Sequence, residues 1–232
     1  MTTAAGRDPA WPDVLLWFGT IDSIIRGLGH ELNNRALALS ATIESLDPKR
    51  PVGRQLATGL TREAERLTEQ LRQLRDLPFA IETEPMPLLL RDVLSAAIHL
   101  HRSHVSLGAI PVYLEGTVDA PPVLAPESAL VHALLVILTA MKGFASLGGV
   151  VRISYAGTPD LAEITIRAER DPTEERVAAA VAALVNPTGL ASALLGTALL
   201  TIEQHISANE TSVSLTLPSL RAMRRRSRPV AI

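Results

Sequence analysis

Three side chains fall within little more than one helical turn and can do chemistry together: His30, Glu31 and Asn34. A neutral imidazole can take a phosphoryl group on one ring nitrogen. A carboxylate on the next residue can orient the other nitrogen or accept its proton. An amide four residues on lies one turn along, beside the histidine, where it can position a water or a phosphoryl oxygen. Together they are a set of parts for moving phosphate. Arg26, Asn33 and Arg35 surround them in sequence and are the candidate contacts for a partner.

Such residues need a helix to hold them in register, and the apolar pattern predicts one. From about Asp13 to Leu46, Leu28, Leu32, Ala36, Leu39, Ile43 and Leu46 recur at steps of four and three, the seam of a long helix. Asp47-Pro48 and Pro51-Val52-Gly53 break it. A second helix runs from about Arg54 to Leu77, with Leu56, Leu60, Leu67, Leu71, Leu74 and Leu77 along its seam, and Pro78 ends it. Two long helices with a short connection form a hairpin. A single hairpin leaves its seams partly wet, and pairing two of them into a four-helix bundle buries them, so a homodimer is expected. His30 lies two residues from both Leu28 and Leu32. At ~100° per residue it points away from the seam and should be exposed, with Asn34 on the same face.

The second half changes character. Leu88 to about Ser106 reads as a helix, Pro111 to Gly116 as a strand and Pro126 to Leu147 as a strongly apolar helix. Gly149 to Tyr155 and Leu161 to Ala168 alternate as antiparallel strands around a Gly157-Thr158-Pro159-Asp160 turn. Glu174 to Leu184 and Leu190 to His205 read as helices, and Ser212 to Leu217 as a last strand ended by Pro218. The fold class is α+β: a helical hairpin forming a dimeric bundle, then an α/β sandwich in which helices cover one mixed sheet. The predicted organisation is a flexible N-terminus over 1–12, the hairpin over 13–80, the sandwich over 81–219 and a basic, solvated tail over 220–232.

Composition narrows the function classes. Hydrophobic residues make up 47% of the 232 residues, enough for a real core and too many for general disorder. The net charge of −2 speaks against bulk electrostatic binding of nucleic acid. There is no cysteine, which excludes disulfides and thiolate metal sites. The longest apolar run, Ala133 to Met141, is short of the ~20 residues of a membrane span. The N-terminus does not read as a signal peptide. A cytoplasmic protein without membrane or nucleic-acid partners is expected. His99, His101 and His104 cluster on one predicted helix without an acid or cysteine to complete a metal site. They read as surface or interface residues.

The stretch from about Ile21 to Pro218 resembles the core of a bacterial two-component histidine kinase: a dimerisation and histidine phosphotransfer hairpin, then a GHKL-type ATPase domain. The box His30-Glu31-Leu32-Asn33-Asn34 carries the resemblance, with Pro121-Pro122-Val123-Leu124-Ala125-Pro126-Glu127 similar to the family's lead-in to its nucleotide-binding helix. The resemblance implies a phospho-acceptor role for His30, with Glu31 and Asn34 beside it. It then breaks at the nucleotide site. Val136 and Ala140 stand where the family has asparagines for Mg²⁺ and the triphosphate, and neither offers an oxygen donor. Ala168-Glu169-Arg170-Asp171-Pro172 lacks the glycines of the adenine loop, and Gly189 and Gly196 alone do not make a phosphate cradle. Arg35 replaces the proline that usually comes after the second asparagine, and can contact a phosphoryl group or sit in solvent.

With those departures, the resemblance implies a degenerate kinase core similar to ChpT-type histidine phosphotransferases. Such a protein shuttles phosphate between receiver-domain aspartates through His30. It has no cofactor of its own, Mg²⁺ being supplied by the partner receiver, and its partners are response-regulator receivers and an upstream hybrid histidine kinase. Three alternatives stand beside it: a receiver phosphatase using Glu31 and Asn34, a non-catalytic module that binds a kinase or receiver, and an active kinase with an unusual ATP site.

Overall fold

A long helix α1, Trp11–Glu44, runs antiparallel to α2, Arg54–Asp76. The chain then forms β1 (Met86–Leu88), α3 (Leu90–His101), β2 (Val112–Glu115), β3 (Val123–Ala125), α4 (Glu127–Ala145), β4 (Val150–Gly157) and β5 (Leu161–Glu169). Helix α5 (188–195) and a single 3₁₀ turn at Gly196–Ala198 lead to β6 (Thr201–Ile206), β7 (Glu210–Pro218) and α6 (Leu220–Arg226). The structure is a computed structural model that describes residues 11–46, 49, 52–77, 84–115, 120–145, 148–169, 188–207 and 210–226.

The main sheet has five strands in the order β2-β4-β5-β7-β6. Among the described strands only the β2–β4 pair is parallel, and α4 lies in the connection between its strands, as a parallel crossover requires. Alternation sets the two faces. Val151, Ile153, Ile164, Ile166, Ala168, Val213 and Leu215 are buried, with Val151 opposite Ala168, Ile153 opposite Ile166, Ile164 opposite Leu215 and Ile166 opposite Val213, forming the face on which α4 packs. The other face carries polar pairs: Arg152 bridges Glu115 and Glu169, Arg167 meets Glu210 at 3.1 Å, and Thr165 meets Ser214. A small second sheet pairs β1 with β3.

Helix α4 is the centre of the core. It is the one described helix with the length and hydropathy of a membrane span, and 89% of that window is buried inside the protein. It packs under the sheet, against α3 and against the lower half of α1. There the Trp17 ring lies 3.8 Å from that of His132, centroid to centroid. Ile24 and Leu28 are fully buried at this joint, and the Val105 amide donates to the Ser23 carbonyl at 3.3 Å. Gly27 lets the helix approach: a Cβ there would fall inside the carbonyl of Ser103.

Several sequence expectations need correction. The segment read as a helix from Leu190 to His205 is helical only to Ala198; Gly196 takes φ +49°, and Thr201–Ile206 becomes an edge strand on β7. Strand pairing overrides the local helical pattern there, while the left-handed glycine ends the helix. Leu88 belongs to β1 rather than to a helix. Strands β1 and β3 are each three residues long, too short for periodicity to reveal. The segment read as a helix from Glu174 to Leu184 lies outside the described residues. The beginning of the basic tail is folded, not merely solvated. The Leu220 amide donates to the Pro122 carbonyl at 2.7 Å, and the Ser219 hydroxyl accepts from the Ala222 amide at 3.1 Å as a helix cap.

Gly27→Ala should destabilise the protein by about 1–3 kcal/mol, because the joint between α1 and the sheet domain must open to admit a methyl group. Gly29→Ala is the control. It has open space around its Cα and should be neutral or gain up to ~1 kcal/mol from helix propensity. Urea unfolding of the two variants checks the contrast.

Candidate functional site

Helix α1 leaves the joint at Leu28, and from there its outer face turns to solvent. Gly29, His30, Glu31, Asn33 and Asn34 are all exposed, while Leu32 is half-buried on the seam side. His30 thus stands two residues beyond the last fully buried contact of α1. One end of its helix is held by the core, and the ring is open to a partner. Asn34 lies one turn farther along the same face.

The antiparallel α2 supplies polar cross-links at this level. The Gln70 Nε2 donates to Glu31 Oε2 at 2.5 Å. One turn along, the Arg35 guanidinium pairs with Glu63 at 3.0 Å, and Arg66 meets the other Glu63 oxygen at 2.6 Å. Burial works to raise the Glu63 carboxyl, but the hydrogen bonds and charges of Arg35 and Arg66 outweigh it and hold the group below the usual carboxylate value. Arg35 is therefore directed at α2 rather than left free toward a phosphoryl group. Arg26 pairs with Asp22 at 2.9 Å on the exposed face of α1. His99 reaches from α3 to Gln73 and lies 3.6 Å from Glu69 on α2.

Gln70 is the residue that sequence reasoning missed. Its signal is there: it falls three residues after Leu67 and four before Leu74, so a polar residue sits at an apolar spacing. It is buried, at 5% exposure.

Two of the clustered histidines are corrected by the structure. His101 and His104 are buried, not on the surface. Their rings stack at 5.1 Å between centroids, and His101 Nε2 meets the Thr139 hydroxyl at 3.0 Å. Lys142, also buried, donates to the Leu107 carbonyl at 3.1 Å. Burial, and then the charges of Lys142 and His104, push the His101 imidazole well below its ordinary value; His104 is lowered by burial and by Lys142. Burial, helped by the charge of Arg102, lowers Lys142 to about 8. The cluster lies under the 102–110 turns on which α1 rests. Among the described residues no group of three or more His, Cys, Asp or Glu side chains could hold a metal ion.

Helix α4 carries the two positions at which the resemblance implies nucleotide-binding asparagines. Val136 and Ala140 face the core and are buried. Thr139, the hydroxyl between them, is already committed to His101 and to the Leu135 carbonyl. These residues do not fit a Mg²⁺–triphosphate, which needs free oxygen donors. Glu169 is paired with Arg152, Gly189 is exposed at the start of α5, and Asp171 lies outside the described residues.

No family model matches this sequence, and no curated relative does. Among solved structures, the catalytic domain of the histidine kinase ThkA is similar at 10% identity and TM-score 0.48, over 59% of this chain and 97% of that one. A structure of ThkA in complex with the response regulator TrrA is similar at 12% identity and TM-score 0.47, over 86% of this chain and 61% of that one. A bacterial phosphotransferase structure is similar at 16% identity and TM-score 0.41, over 91% of this chain and all of that one. These scores are too low to transfer function, so a functional reading rests on this chain's own residues.

The buried titratable groups make stability depend on pH. Between about 8 and 10.5, the folded and ordinary values of Lys142, the unfolded chain holds more protons, so wild-type stability rises across that window. Lys142→Met should raise the melting temperature at pH 7, because a buried charge is removed and Leu107 keeps the Ile110 amide as a donor. The advantage should shrink from pH 8 to 10.5. At the acid end, His101 and His104 fold as neutral rings, so stability should be full above 6.5, their ordinary value, and be lost as pH falls below it. Thermal melts across pH test both limbs.

Proposed function

We propose that this chain is a histidine phosphotransfer protein of a cytoplasmic phosphorelay, carrying phosphoryl groups between receiver-domain aspartates on His30 without using ATP. The observation that carries this reading is the exposed His30 on a helix seated in the core at Leu28, with Glu31 tied to α2 and Asn34 one turn on. The apolar burial of Val136 and Ala140 supports the part of the reading that excludes ATP.

The chemistry needs little from the protein beyond position and a proton acceptor. The lone pair of a neutral His30 ring nitrogen attacks phosphorus. The bond from phosphorus to the receiver's aspartate oxygen breaks, and the aspartate leaves as a carboxylate with that electron pair. The other ring nitrogen becomes acidic, and Glu31 accepts its proton. The reverse sequence delivers the group to a second receiver. Asn34 can hydrogen-bond a phosphoryl oxygen during transfer. A receiver phosphatase is the second reading, favoured by the same exposed amide, which can instead hold a water.

The hairpin also supports a homodimer. Leu37, Ile43 and Leu71 lie more than half exposed along it, apolar side chains that a second hairpin would help to cover in a four-helix bundle. Sedimentation should give twice the 24.8 kDa chain mass, and Leu71→Glu should shift the protein toward monomer.

The deciding experiment offers the purified protein radiolabelled ATP alone, or receiver domains already phosphorylated with label. Label should arrive only from a receiver, on an acid-labile site, and His30→Ala should reduce it to background. Transfer that survives His30→Ala would rule the reading out, and label from ATP alone would make the chain a kinase.

A further inference from the structure

We infer that Gln70 is a positioning residue for the His30 site, acting through the Glu31 carboxylate; the inference rests on the phosphotransfer reading above.

Gln70 occupies an apolar-face position of α2 and is 5% exposed. A leucine there would continue the seam, and a buried amide is costly unless its polar atoms are satisfied. Only one side of this amide has a partner. Nε2 donates to Glu31 Oε2 at 2.5 Å, whereas Oε1 is buried and unpaired among the described residues. The orientation is set by the chemistry: an ionised carboxylate only accepts, so the nitrogen must face Glu31. The amide is therefore committed to one group, a side chain adjacent to the phospho-acceptor.

The spacing of the two helices does not require this bond. The Arg35–Glu63–Arg66 ion pairs join the same helices one turn away. The apolar seam runs along both sides of Gln70, from the half-buried Leu67 to Leu74. What Gln70 adds is the fixing of a carboxylate that would otherwise move among rotamers on an exposed helix face. One Glu31 oxygen is held by the amide, leaving the other to accept the proton released from the His30 ring as phosphorus bonds to it. Without Gln70, Glu31 would have to be ordered during each transfer, which slows the step without removing any reacting atom.

The test measures the rate of label transfer from a phosphorylated receiver domain to the full-length chain, for wild type, Gln70→Leu, Glu31→Gln and the double variant. Gln70→Leu should transfer roughly tenfold more slowly, the loss expected of a misplaced proton acceptor, with an unchanged or higher melting temperature. In the Glu31→Gln background it should cause no further loss, because the two residues act as one unit. Gln70→Glu supplies a second readout. At pH 8 its carboxylate repels Glu31 and transfer should be slow; as pH falls toward 6 the pair can share a proton, and the rate relative to wild type should recover. Wild-type transfer by Gln70→Leu would overturn the inference, as would an equal slowing in the presence and absence of Glu31. If wild-type protein takes no label at all, the phosphotransfer reading fails and this inference with it. Label on wild type with an unaffected Gln70→Leu variant removes this inference alone.

Discussion

A helix that is apolar all round can be stable only if it is covered all round, and α4 imposes that condition on the rest of the molecule. Its residues Leu134, Leu135, Ile137, Leu138 and Met141 are fully buried. The sheet covers one side through Ile153, Ile164, Ile166 and Leu215, α3 covers another, and the lower half of α1 closes a third. The hairpin is thus held to the sandwich by the burial of α4, and Gly27 allows the close approach. The position of His30 depends on it, since the imidazole begins where the covered length of α1 ends.

The same burial sets the surroundings of the side chains along α4. Most of α4 is committed to the core, with 89% of its apolar window buried. Val136 and Ala140 belong to that core, and Thr139 spends its hydroxyl on His101 and the helix backbone. The domain gives α1 its seat through α4 and the turns around Ser103 and Val105. That seat is electrostatically costly: His101, His104 and Lys142 lie buried together, and burial lowers the proton affinity of each. The hairpin face around His30 has the opposite character. Its charges lie near solvent and meet partners across or along the helices, as Arg35 meets Glu63 and Arg26 meets Asp22.

Features that depend on neighbours in sequence were legible. The two hairpin helices appear where the leucine seams place them, and α4 spans the run predicted for it. The β4–β5 hairpin pairs around the Thr158-Pro159 turn as the alternation requires. His30 is exposed because it lies opposite the seam. Features decided by distant partners were not legible. Thr201–Ile206 is a strand because β7 presents an edge to it, and the three-residue β1 and β3 pair with each other, β3 also bridging to Ser219. His101 and His104 look like surface histidines on a short helix until the 102–110 turns and α4 close over them.

By itself the sequence determined the α+β class, the hairpin, the apolar α4 and the His30-Glu31-Asn34 grouping, because each is written in periodicities or spacings of a few residues. Only the tertiary structure decided which groups meet across the hairpin and around the joint. Gln70 touches Glu31 across 39 positions of chain, Arg35 meets Glu63 across 28, and His101 meets Thr139 across 38. The physical reason is that a side chain's direction on its own helix is set by local geometry, whereas the identity of the group it meets depends on how whole elements pack.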